Sequence, residues 1–207
     1  MAIISDKKKF CFININRVGG GSIKSLLAKQ ANDTETTTPI ISTIKSNIEL
    51  HPHIKDYNKF SFVRCPYDWL VSIYYNIINH SQHPDYFYVK DLNFFDFIKW
   101  MCDVGMKREE SDLQPFYRTQ TDFVFINDEL AVNKIFKYEA MCNDAGTSNI
   151  MHLFLQLKLE MPKNVPMLNK SQRPFGWQEL YDNGIYKLVN RVFAEDFKNF
   201  NYRTYEC

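Results

Sequence analysis

The sequence predicts an α/β fold built on a parallel sheet, and two observations carry that prediction. Two short apolar runs suited to buried strands, residues 10–15 (FCFINI) and 60–63 (FSFV), each lead through a loop into a segment with helical periodicity. The chain has 207 residues, 45% of them hydrophobic and 15% aromatic, enough for one domain, 1–207, with a substantial core.

Taken in order, the first run opens into the glycine-rich turn Gly19-Gly20-Gly21. Ser22 then suits the cap of a helix through IKSLLAKQ, because its hydroxyl can accept an orphan backbone N–H. Residues 32–39 (NDTETTTP) are polar and read as a loop. The second run ends at Arg64, Pro66 fits the first helical turn, and Trp69, Leu70, Ile73 and Tyr74 fall on one helical face. Residues 93–101 read as an amphipathic helix, while 122–126 (DFVFI) and 131–138 (AVNKIFKY) read as short strands. A helix over 150–159, a loop containing MPKNVPMLNKSQRPFG, and a closing helix from Trp177 to Phe197 complete the chain.

Composition excludes several classes. The net charge is +1, so no global field points to nucleic acid or to an anionic membrane, and an anion site must be local. The start, MAIISDKKKF, has a basic cluster but no apolar core of a signal peptide, and no run is long enough to span a membrane. The five cysteines (Cys11, Cys65, Cys102, Cys142 and Cys207) are scattered and odd in number, which reads as reduced thiols in the cytoplasm. No Cys/His spacing suits a metal, and none is expected.

Residues 14–22 (NINRVGGGS) have the parts of an anion-binding loop. The glycines let a ligand approach the backbone, the N–H groups of a helix start favour an anion, and Arg17 adds a fork of donors. The bland alternative is a tight turn. The loop is neither a Walker A sequence, which needs Gly-Lys-Ser/Thr, nor a dinucleotide fingerprint. Arg64 leaves its strand at the carboxyl end, where open α/β sheets bind ligands, and Ser72 follows on the next helix. The two could share a phosphate; the competing reading pairs Arg64 with Asp68 and turns Ser72 to its own helix backbone.

In this order the two segments resemble the signature pair of sulfotransferases that use 3′-phosphoadenosine 5′-phosphosulfate (PAPS), in the branch that includes carbohydrate and heparan-sulfate-type enzymes and short bacterial relatives. The family's H-I-P-K-T-G-G-T-S reads N-I-N-R-V-G-G-G-S here, and its F-x-F-V-R-x-P-Y-D-R-L-V-S reads F-S-F-V-R-C-P-Y-D-W-L-V-S. Residues 116–125 (FYRTQTDFVF, with Gln120), 135–141 (IFKYEAM) and the tail from Met167 extend the similarity over most of the chain. The resemblance implies a P-loop-like three-layer fold, a central parallel sheet flanked by helices. It also implies that Arg17, Val18, Gly19, Gly20, Gly21 and Ser22 hold the 5′-phosphosulfate, and that Arg64 and Ser72 hold the 3′-phosphate. Asn169, Lys170, Ser171 and Arg173 would close over the nucleotide. The product would be 3′-phosphoadenosine 5′-phosphate, and no metal is implied.

The implied reaction passes a sulfuryl group in line to the hydroxyl of a glycan or small molecule, with positioning and charge supplying most of the catalysis. Arg17 stands where the family places Lys, keeping the charge but not the compact ammonium geometry. His51 and His53 precede the Arg64 strand, where the resembling enzymes carry a catalytic histidine; one of them is the expected base, with Glu139 and Asp56 as fallbacks. Residues 79–95 are the candidate acceptor-facing segment. Arg17 for Lys and Asn14 for His leave open a non-catalytic PAPS-binding or nucleotide-binding protein; a small-molecule kinase is disfavoured by the missing Gly-Lys-Ser/Thr. Oligomeric state is not readable.

Overall fold

The computed structural model describes residues 2–28, 36–37, 42–105, 118–141, 144–160, 173–174 and 176–206. They group into two compact units, Met1–Arg64 with Gln120–Asn169, and Cys65–Thr119 with Lys170–Cys207.

The first unit opens with β1 (Ala2–Ser5) and β2 (Phe10–Ile13), both wholly buried and paired antiparallel from Ala2↔Ile13 to Ser5↔Phe10. Four residues join them, too few for the crossover that parallel strands need. Helix α1 (Gly20–Ala28) follows, then the two-residue β3 (Thr36–Thr37), antiparallel to β1. Helix α2 (Ile44–Leu50) starts where the Thr43 hydroxyl accepts the Ser46 N–H at 3.2 Å. A 3₁₀ turn (Pro52–Asp56) leads into β4 (Asn58–Val63), parallel to β2 with Phe10↔Asn58 in register.

The second unit takes over with α3 (Pro66–Ile78), whose proline occupies the first turn as expected, since its missing N–H is an orphan there anyway. Helices α4 (Tyr86–Val89) and α5 (Phe94–Trp100) and a π-helical turn (Met101–Gly105) continue it. The chain then returns to the first unit with α6 (Gln120–Val124) and the hairpin of β5 (Phe125–Ile126) and β6 (Glu129–Leu130). That hairpin turns on Asn127 and Asp128, both left-handed, as a two-residue hairpin loop requires. Next come β7 (Lys134–Lys137), parallel to β4, then α7 (Tyr138–Met141) and α8 (Asp144–Gln156).

The sheet order is β3-β1-β2-β4-β7. The expected parallel sheet is therefore mixed: β2, β4 and β7 run parallel, β1 is antiparallel to β2, and β3, antiparallel to β1 in turn, runs in the direction of the parallel strands. Aromatic side chains tie the parallel strands, Phe12 stacking on Phe60 at 5.3 Å and Phe62 on Phe136 at 5.1 Å.

The second unit ends with a 3₁₀ turn (Trp177–Leu180), α9 (Asn183–Val192) and α10 (Ala194–Asn199). Its core centres on Tyr67, which stacks on Trp177 at 5.2 Å, packs against Phe197 at 4.8 Å, and donates its hydroxyl to Asn190.

Three further expectations change. Residues 122–126 are mostly helix, with only Phe125 and Ile126 in a strand; a five-residue apolar run does not separate the two by periodicity. The closing helix is broken, because Asp182 caps a new start through the Ile185 N–H at 2.9 Å, and Phe193 leaves helical geometry. Ser22 lies inside the first turn of α1 and does not precede it; its N–H donates to the Gly19 carbonyl at 3.0 Å. The loop expectation at 32–39 falls outside the described residues except for Thr36 and Thr37.

Candidate active site

The loop after β2 is shaped by two left-handed residues, Arg17 at φ 62° and Gly19 at φ 87°. The conformation is free for glycine but costs Arg17 about 1 kcal/mol. The turn closes as the Gly19 carbonyl accepts N–H groups from Ser22 and Ile23, which starts α1 at Gly20. Gly20 is required for space: a Cβ there would lie 1.7 Å from Asn14 Oδ1. Gly19 faces Tyr138 and Met141, where an added Cβ would stand 3.0 Å from the Tyr138 ring. Val18 and Ser22 are buried beneath the loop and Gly21 is exposed.

Arg64 sits at the carboxyl end of β4 and is only 4% exposed. Its backbone is clamped by Gln120, whose Oε1 accepts the Arg64 N–H at 2.8 Å while its Nε2 donates to the Arg64 carbonyl at 2.8 Å. The guanidinium donates to the Arg17 carbonyl at 2.9 Å and lies over the Tyr138 ring, 4.3 Å from its centroid. Loops leaving the carboxyl ends of β2, β4 and β7 thus meet around Arg64. Burial pushes the Arg17 guanidinium pKa down, and the neighbouring Arg64 charge pushes it further in the same direction. Two cations held together in a half-buried place are an electrostatic cost that a bound oxyanion would relieve.

The structure therefore brings together Arg17, Val18, Gly19, Gly20, Ser22 and Arg64. It does not bring His51 or His53 to them. His53 stands at the opposite end of the sheet, its Nε2 3.1 Å from Asp6 in the β1–β2 turn and its ring 5.6 Å from Tyr57. The His51 ring is 5.9 Å from that of His53. The length of β4, five residue steps or roughly 17 Å, separates this end from Arg64. Asp56 lies on the same 3₁₀ turn as His53. Glu139 follows β7 and sits on α7 beside Tyr138, at the Arg64 end.

Ser72 is fully buried on α3 in the second unit. In that unit Arg173 pairs with Asp68, the residue considered as a partner for Arg64. Asn169, Lys170 and Ser171 lie outside the described residues. Among the described residues no cluster of three or more His, Cys, Asp or Glu is placed to hold a metal, and no helix is long and apolar enough to cross a membrane.

Sequence reasoning missed the parts played by Gln120 and Tyr138. Gln120 was visible as a motif residue, but a carboxamide clamping a backbone 56 positions away has no local signature. Tyr138 could have been found from the rule that strand carboxyl ends share one site, since it is the first residue after β7.

The sequence model of the sulfotransferase family matches residues 1–203. No curated protein and no solved structure matches the chain. A match over nearly the whole chain shows the family: the protein belongs to the sulfotransferases, and sulfuryl transfer is its general chemistry.

Proposed function

We propose that this sulfotransferase takes its sulfuryl group from PAPS and passes it to the hydroxyl of a glycan or small molecule, in the cytoplasm. The observation that carries the reading is the convergence of Arg17 and Arg64 on a glycine-rich loop at the carboxyl end of a parallel strand pair. The loop backbone at Gly19, Gly20, Gly21 and Ser22 and the start of α1 suit the 5′-phosphosulfate, with Arg17 on its charge. Arg64, braced by Gln120 and Tyr138, suits the 3′-phosphate. Ser72, Asn169, Lys170, Ser171 and Arg173 join the donor site on the resemblance alone.

In the proposed step the acceptor oxygen bonds to sulfur as the bond from sulfur to the 5′-phosphate oxygen breaks. The 5′-phosphate of the product keeps the electron pair, and the hydroxyl proton passes to a base. Arg17 stabilises the departing phosphate by charge; a guanidinium does not give up a proton near neutral pH. For the base, position favours Glu139, one residue past Tyr138, over His51 and His53 at the far end of β4. The rings of Phe87 and Tyr88, 77% and 62% exposed, suit the acceptor-facing segment at 79–95.

Transfer of labelled sulfate from PAPS to a panel of glycans and small alcohols tests the reading. Turnover is expected in the wild type, lost in Arg64→Ala, and lowered about 10²–10⁴-fold in Glu139→Gln. His51→Ala and His53→Ala should stay within a few-fold of wild type; a large loss in either returns the base to that histidine. Arg17 in place of Lys favours a second reading, a non-catalytic nucleotide-binding protein. Tight binding of 3′-phosphoadenosine 5′-phosphate with no transfer to any acceptor would select it. Binding of Mg-ATP in preference to that nucleotide would select a kinase.

A further inference from the structure

We infer that the first unit carries a second anion site, at the amino end of its sheet, for a small multivalent oxyanion bearing phosphate or sulfate groups. A cleft of about 420 Å³ opens there, lined by Lys7, Lys8, Asn58, Gln156, Leu157 and Lys158. That volume falls within the range of about 300–1,000 Å³ usual for small-ligand sites. Three of the six side chains are ammonium groups and two are carboxamides able to donate N–H; no carboxylate is among the described residues that line it. The whole chain carries a net charge of only +1, so this concentration of positive charge is local.

Three elements meet to build the cleft. The β1–β2 turn contributes Lys7 and Lys8, the first residue of β4 contributes Asn58, and the end of α8 contributes Gln156 to Lys158. The Asn58 N–H donates to the Lys9 carbonyl at 2.9 Å, which fixes the turn against β4. Lys8 Nζ donates to the Lys158 carbonyl at 3.1 Å. That bond draws two lysines together and answers the negative end of α8, which alone would repel an anion. Lys158 and Lys9 hold left-handed φ values of 53° and 55°, where glycine would be unstrained. The nearest carboxylate of the turn, Asp6, is engaged elsewhere, accepting from the Tyr57 hydroxyl at 2.7 Å and lying 3.1 Å from His53 Nε2. Ammonium groups thus line the turn and the α8 side, the Asn58 carboxamide adds N–H donors between them, and an anion with several oxygens is the ligand that such a lining recognises. The inference does not rest on the donor reading, because β4 separates this end from Arg64 by roughly 17 Å.

Calorimetric titration of the full chain tests it, with sodium tripolyphosphate in one arm and a sulfated disaccharide in the other. Wild type and Arg17→Ala are expected to bind at least one of the two equally well, and Lys7→Gln/Lys158→Gln to bind at least tenfold more weakly. Binding in the first arm alone marks a phosphate ligand, and in the second alone a sulfated glycan. The inference is overturned if neither probe binds, if the lysine variant binds like wild type, or if Arg17→Ala loses the binding. Should the double variant fail to fold, Lys158→Gly, which keeps the left-handed backbone and removes one cation, is expected to weaken binding several-fold; unchanged affinity overturns the inference.

Discussion

Gly20→Ala is the sharpest test of how the glycine-rich loop is built. Alanine ordinarily stabilises a helical position relative to glycine by up to about 1 kcal/mol. Here the added Cβ would lie 1.7 Å from Asn14 Oδ1 and 2.7 Å from its Cγ, so Asn14 must leave its rotamer or the start of α1 must shift. So close an approach falls at the upper end of the usual overpacking cost, about 2–3 kcal/mol, and against a helix gain of about 1 kcal/mol the net loss is about 1–2 kcal/mol. At roughly 2–4 °C per kcal/mol for a chain of this size, thermal denaturation should move down by roughly 2–8 °C. Asn14→Ala removes the obstacle, and its cost is small, because the buried Oδ1 has no hydrogen-bond partner among the described residues. The double variant Asn14→Ala/Gly20→Ala should then recover most of the loss, giving a coupling of about 1–2 kcal/mol in the cycle. A Gly20→Ala protein that melts at or above wild type, or strictly additive single changes, would refute the close approach of Asn14 as the reason for this glycine.

Three other perturbations probe the surroundings of Arg64 and the sheet. Gln120→Leu strands the Arg64 N–H and carbonyl in a fully buried place, so the urea midpoint should fall by the equivalent of about 2–4 kcal/mol; an unchanged midpoint would show that the clamp contributes nothing. Tyr138→Leu removes the ring under the Arg64 guanidinium and is expected to weaken binding of 3′-phosphoadenosine 5′-phosphate roughly 5–30-fold, whereas Tyr138→Phe keeps it; equal effects would count against the ring contact. Burial pushes the Cys11 thiol from its ordinary 9.0 to about 12, against a smaller opposing pull from Lys59. The unfolded thiol therefore ionises first, the unfolded state binds fewer protons above pH 9, and this contribution to stability is lost as pH rises from about 9 to about 12. Cys11→Ala should flatten that alkaline decline in urea midpoints measured between pH 8 and pH 10; parallel declines would mean the thiol does not take part.

Much of the frame is legible in the sequence because local chemistry dictates it. Pro66 starts α3, and the runs at Phe10 and Phe60 become the adjacent parallel strands β2 and β4. The antiparallel β1 was legible too: AIIS and FCFI flank a four-residue polar turn, which is hairpin spacing. Gln120 and Tyr138 show the other limit, since what each does depends on a partner more than 50 positions away.

The placement of the histidines turns on direction and not on distance. His51 and His53 precede β4 and Arg64 follows it, so a strand of six residues stands between them in the sequence as in the fold. In a parallel α/β sheet the residues that share a site are those that follow their strands, because the strands all point their carboxyl ends the same way. Arg17 follows β2, Arg64 follows β4, and Tyr138 and Glu139 follow β7; the three strands are mutually aligned, and the first three of these residues meet. By the same rule the β1–β2 turn, the 3₁₀ turn carrying His53, and the end of α8 belong to the opposite pole, where Asp6 holds His53 and the lysine-lined cleft opens. Strand direction sorts the charged residues of the first unit into two ends. Arg17 and Arg64 fall at one of them and the histidines at the other.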